Sequence, residues 1–241
     1  ALIEKDMKLI PTIGKIPMNS GRFHIKDHFN YQHTFLDSFT RIRGLELTPE
    51  PDSLAARLAY VKIRERMPFP IASVNTDSGG ENGKDFKEQL AADEVIHFYS
   101  RTGTPTDNPR VERSHLTDDN EFWKRGHNYR PFEEQRQALV NWEYIYNYLR
   151  RNQALGYLTP IQFHKLWQEN PAKAYAVKDK YKKYLEKQRQ RLTTARRLKG
   201  KEQIEKLMRY IDAKLESRIT EKVDLRPYKL ELIKCELCSW T

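Results

Sequence analysis

The chain has 241 residues, 38% of them hydrophobic and 11% aromatic, and carries a formal net charge of +10. That length and composition suit one substantial core with an appendage and exclude a disordered chain. No apolar run reaches the roughly 20 residues of a membrane span, no basic-then-apolar leader opens the chain, and Cys235 and Cys238 alone exclude a disulfide framework, so a cytoplasmic protein away from membranes is expected.

Residues 1–21 contain Pro11, Gly14, Pro17 and Gly21 with little periodicity, which predicts an arm or linker. Strands are predicted at Phe23-His24-Ile25, at Thr34-Phe35-Leu36 and at Ile42–Leu47, the last two close enough to form a hairpin. Pro49–Ser53 opens a helix whose apolar stripe is Leu54, Leu58 and Val61. Pro70–Val74 reads as a buried strand running out to Asp77, with a permissive turn at Gly79-Gly80. Phe86, Leu90 and Ala91 mark a helix, Val95–Tyr99 another strand, and Ser100–Pro105 a loop. Thr106 or Asp107 can cap the next helix, which carries Val111, Glu112 and His115. A longer amphipathic helix is predicted from about Phe132 to Leu149, with Leu139, Trp142, Ile145, Tyr146 and Leu149 on its apolar side. The order is that of a mixed α/β fold.

After Pro171 the composition shifts to Lys, Arg, Gln, Glu and Leu, and two helices, about 172–197 and 201–220, are predicted as a hairpin broken near Gly200. Lys173 to Lys222 holds 17 Lys or Arg against 7 Asp or Glu, so the whole positive excess sits in one segment. Such a concentrated cationic element points to a polyanion, nucleic acid above all.

Two acids stand out in the core: Asp77, where an apolar run ends, and Glu112, where a helix begins, 35 positions later. Carboxylates brought together from distant elements suit hard divalent ions such as Mg²⁺ or Mn²⁺, which activate and stabilise oxygens in phosphoryl transfer. The absence of a Gly-Lys-Ser/Thr phosphate loop and of a Gly-x-Ser-x-Gly elbow removes support for nucleotide hydrolysis and for a covalent serine intermediate.

The ordered set Pro68-Phe69-Pro70-Ile71, Thr76-Asp77-Ser78-Gly79-Gly80-Glu81, Ser100–Pro105, Val111-Glu112-Arg113-Ser114-His115 and Gln153–Pro160 resembles the integrase catalytic core of bacterial DDE insertion-sequence transposases. The resemblance implies a ribonuclease H-like mixed sheet flanked by helices, here with a C-terminal basic helical hairpin. The domains expected are an arm at 1–21, a core at 22–170, a basic helical region at 171–222 and a tail at 223–241. The implied activity is metal-dependent DNA strand cleavage and strand transfer with three acids and two Mg²⁺ or Mn²⁺ ions. The implied partners are transposon ends, target DNA and further copies of the chain, near a bacterial nucleoid.

Asp77 takes the place of the family's second acid and Glu112 that of its third. The first acid is expected on the first core strand, where Lys26 occupies its place in His24-Ile25-Lys26-Asp27. Asp27 serves if that strand is bulged or shifted by one residue. The alternative is a core that lacks the acid, a truncated and catalytically silent remnant that still binds nucleic acid. Arg101, Arg110, Arg113, Arg150 and Arg151 flank the expected site as candidates for DNA phosphates.

Overall fold

The structure, a computed structural model, describes residues 1–13, 28–100 and 109–218. Five strands are described: β1 (Leu2–Pro11), β2 (Phe29–Asp37), β3 (Arg43–Thr48), β4 (Ser73–Thr76) and β5 (Ile96–Tyr99), in the sheet order β3-β2-β1-β4-β5. The first three form an antiparallel meander, and β4 and β5 add in parallel to β1. The helices are α1 (Ser53–Arg66), α2 (Lys84–Ala92), α3 (Pro109–Glu121), α4 (Phe132–Tyr144), α5 (Pro160–Glu169) and α6 (Pro171–Arg218). None of the described helices is long and apolar enough to cross a membrane.

Alternation along the strands sorts the helices onto two faces. Ile3, Phe35 and Val74 face a core closed by Ala56, Tyr60 and Ile63 of α1 and Phe86 and Leu90 of α2. Ile10, Leu45 and Leu47 face the opposite core, with Phe122, Trp123, Leu139, Trp142 and Tyr146. Gly44 lets α1 approach: a Cβ there would stand 2.2 Å from Ile63 Cγ2. The expected stripe of α1 is displaced in consequence. Leu54 and Leu58 are about half exposed, and small Ala55, Ala56 and Ala59 face the sheet instead.

The β3 edge is closed by side chains. The Asn147 side chain accepts from Arg43 N and donates to Arg43 O, Leu45 N donates to Glu143, and Arg66 donates to Leu45 O. This leaves the strand few groups with which to pair another chain.

Three expectations are corrected. Residues 2–11 are no arm but the central strand of the sheet, paired on both sides. The expected first strand at residues 23–25 lies outside the described residues, as does the tail at 223–241. In place of a helical hairpin, α6 runs continuously through Gly200, because a single glycine costs a helix only about 1 kcal/mol. The chain divides at Asp179/Lys180 into two compact units, later than the expected boundary at 170/171, because Ala174 and Val177 of α6 belong to a core with Leu155 and Phe163.

The Gln153–Pro160 motif proves to be local folding chemistry. Asn152 accepts from Ala154 N, Gly156 adopts a left-handed φ of 66°, and Thr159 and Gln162 form a reciprocal capping box that starts α5.

Candidate active site

The site grows from β1, whose middle is charged where a strand interior is normally apolar. In the parallel β1–β4 pairing Glu4 lies beside Asn75, and extending that register by two residues brings Asp6 level with Asp77 on the neighbouring strand. Adjacent strands stand about 4.8 Å apart, so two carboxylates meet at the point where β4 ends.

Asp77 is held by its own motif. Its Oδ1 accepts from Gly79 N at 3.1 Å and from Asn82 Nδ2 at 2.7 Å. Asn82 Oδ1 in turn accepts from the buried ammonium of Lys5, which also faces Glu81 at 3.7 Å. The turn through Gly79 and Gly80 thus folds Glu81 and Asn82 back over Lys5, and β1 and β4 are tied together through polar side chains. Burial lowers the Lys5 pKa, and the charge of Glu81 opposes that shift.

Burial also raises Asp6, to about 6, with the Asp77 and Glu81 charges adding to the rise and the Met7 N–H and Lys5 opposing it. Asp6 Oδ1 accepts from Met7 N at 2.8 Å, and Oδ2 lies 3.4 Å from His115 Nδ1. His115 is lowered to about 4 by burial, so at neutral pH it meets Asp6 as an uncharged imidazole. Its Nε2 pairs with Thr34 Oγ1 at 3.1 Å.

Glu4 sets α3 in place. Buried at the helix start, its carboxylate accepts from Arg110 N and Val111 N, both at 3.1 Å, and from Arg110 Nη1 at 2.7 Å. Contacts then climb together: Glu4 with Arg110 and Val111, Asp6 with His115, and Lys8 with Asp119 at 2.7 Å. Four to five helix residues rise about 7 Å, as do two strand residues, so helix and strand run side by side in step. Glu112 falls at a level between Glu4 and Asp6, one turn before His115 and on the same face. Beneath, the buried Arg43–Asp118 pair at 2.7 Å anchors α3, with Asp118 also accepting from Trp142 Nε1 at 2.7 Å and Gln32 Nε2 at 2.8 Å.

The structure therefore places Asp77 and Glu112 on the elements expected of them, both exposed. Asp27 and Arg101 lie outside the described residues. Sequence reasoning missed Asp6, although Leu2-Ile3 and Leu9-Ile10 bracket its charged run in the manner of a strand buried at both ends. Two of the expected DNA-contacting arginines are engaged within the protein: Arg110 with Glu4, and Arg150 with Glu121 through two contacts of 2.6 Å. Arg113 and Arg151 are exposed.

Among the described residues, no three His, Cys, Asp or Glu side chains are gathered closely enough to hold one metal ion. The Asp6–Asp77 pair nevertheless suits a hard divalent cation. Its donors are all oxygen, and a cation would offset the burial and the Asp77 repulsion that together raise Asp6.

Residues 93–160 match the integrase core domain family model. Over that stretch the chain resembles an integrase core domain. Its fold is similar to that of a chain in the simian T-cell lymphotropic virus intasome solved in complex with PP2A regulatory subunit B56 gamma, at TM-score 0.54 and 17% identity over 68% of this chain. The match spans about half, 53%, of that chain. The catalytic core of HTLV-2 integrase in complex with magnesium aligns at TM-score 0.48 and 16% identity over 67% of this chain and 93% of its own. That of BIV integrase aligns at 0.49 and 13%, over 70% and 97%. No curated protein matches the chain in sequence.

Proposed function

We propose that this integrase-type core cuts and joins DNA strands, with Asp6, Asp77 and Glu112 as its three acids. The observation that carries the reading is the alignment of Asp6 on β1 with Asp77 at the end of β4, beside a helix that carries Glu112 one turn before the His115 that meets Asp6. Asp6 replaces Asp27 in the role of first acid, since β1 is the strand paired with β4.

When bound, two Mg²⁺ or Mn²⁺ ions would supply charge stabilisation on the attacking and leaving oxygens of a phosphodiester. The chain's own residues do the positioning. Asn82 and Gly79 N–H fix the Asp77 carboxylate, Met7 N–H and His115 fix that of Asp6, and Glu4 fixes the helix bearing Glu112. Exposed Arg113 and Arg151 remain available to phosphates of transposon ends or target. Self-association belongs to the same reading and is supported by the exposed Val140, Tyr144 and Tyr148, which repeat at helical spacing.

A second reading, a core that binds DNA without cutting it, is favoured by the missing three-acid cluster among the described residues. Strand cleavage and strand transfer with Mg²⁺ or Mn²⁺ on labelled DNA separate the two. Wild-type activity lost by at least roughly 100-fold in Glu112→Gln and in Asp6→Asn supports catalysis; equal activity in all three proteins refutes the acid assignment.

A further inference from the structure

The β2–β3 turn meets α3 and the start of α6 at the same end of the sheet as Glu4. Three cations converge there: Arg41 of the turn, Arg110 of α3 and Lys178 of α6. Among the described residues only Arg110 has a carboxylate of its own, Glu4 at 2.7 Å. Asp37, the other acid of the cluster, accepts from Thr40 N and Thr40 Oγ1 at 2.6 Å.

Arg41 and Lys178 are held without ionic partners among the described residues. Arg41 is fixed in a left-handed conformation with φ 66°, and its buried Nη1 has no hydrogen-bond partner. A buried guanidinium with an unmet donor is costly unless something accepts from it. Lys178 Nζ stands over the rings of Phe39 at 5.3 Å and Phe163 at 4.9 Å, an aromatic seat that orients the ammonium and leaves its donors unspent. Each of these cations lies within the electrostatic reach of the others, and burial with mutual repulsion lowers both Arg41 and Lys178.

We propose that Arg41 and Lys178, beside the Arg110–Glu4 pair, form a pocket for a backbone phosphate of the DNA strand, next to the one that is cut. Position supports this occupant. Glu4, which holds Arg110, is two residues from Asp6 on β1, about 7 Å along the strand. Phosphate oxygens would accept from the unspent donors of Lys178, and planar guanidinium groups suit phosphate. The inference extends the catalytic reading, yet its test needs no chemistry.

The full chain and its variants are titrated with a short labelled DNA duplex of arbitrary sequence, in EDTA, across a salt series. Arg41→Gln and Lys178→Gln are each expected to bind roughly 10-fold more weakly at low salt and to flatten the log–log salt slope by about 0.9 per lost phosphate contact. Slopes equal to wild type in both variants overturn the pocket. Lys178→Gln decides alone should Arg41→Gln lower the melting temperature, because the Lys178 side chain makes no hydrogen bond among the described residues. Inorganic phosphate at matched ionic strength should compete with wild type more than with Lys178→Gln; equal competition also counts against the pocket. A wild-type slope in Lys178→Gln counts against the pocket whatever Glu112→Gln does to cleavage in the Mg²⁺ assay, so failure of the catalytic reading is seen separately.

Discussion

At the scale of single residues, the molecule spends charge inside its core where an apolar residue would pack more cheaply. Glu4, Lys5, Arg43 and Asp118 are all almost completely buried, and each is matched by partners from another element. Lys178 is the exception whose balance can be read by titration. Burial, with Arg41 and Arg110 on the turn and on α3, lowers it to about 7 from an ordinary 10.5, while Asp37 on β2 opposes. The unfolded chain therefore holds more protons than the folded one between those values, and stability should rise with pH across that window. Melting temperature followed from pH 7 to 9 should climb in wild type and climb less in Lys178→Met; the same climb in both would show that this group is not responsible. Residue chemistry was partly legible in advance. Asp77 and Glu112 announced themselves through short motifs, whereas Asp6 had no neighbouring glycine or proline to flag it.

Individual elements were legible wherever one force dominated. β3, α2 and α3 follow from apolar spacing and lie close to where they are predicted, whereas β2 starts at Phe29, five residues before the predicted Thr34–Leu36. β1 was illegible because the charges of the site interrupt the alternation that identifies a strand, and Pro11 reads as a breaker when it merely ends the pairing. In α1 the sequence offers two faces, one of leucines and one of alanines, and close approach at Gly44 selects the small one. Gly44→Ala should therefore cost about 1–3 kcal/mol in urea unfolding, as overpacking does. Ile63→Ala in the same chain should recover part of that loss, so the two changes are expected to be non-additive; strict additivity would mean that α1 shifts freely to accommodate the methyl.

For the whole molecule, the division at Asp179/Lys180 separates a unit with its own three cores from one whose helical surface is largely exposed and basic. A chain ending at residue 179 should keep cooperative unfolding near the wild-type temperature, while its affinity for duplex DNA falls and loses part of its salt dependence. Cutting at 171 instead should lower the melting temperature, since Ala174 leaves the core it shares with Leu155 and Phe163. Equal melting temperatures for the two truncations would remove α6 from that core's support. The extent of the basic element was visible from composition, but its continuity was not, because Gly200 marks a break only where nothing else favours the helix.

The link from Glu4 to Arg110 and Val111 joins positions 106 and 107 residues apart. Its consequence lies in synthesis. At roughly 5–20 residues per second, β1 leaves the ribosome about 5–20 s before α3 exists to receive it. Through that interval the central strand is a nascent segment without its helix, and Glu4, Lys5, Asp6 and Lys8 keep it hydrated and unattractive to other strands. The same charges that crowd the middle of β1 thus disfavour pairing with other strands before α3 is made.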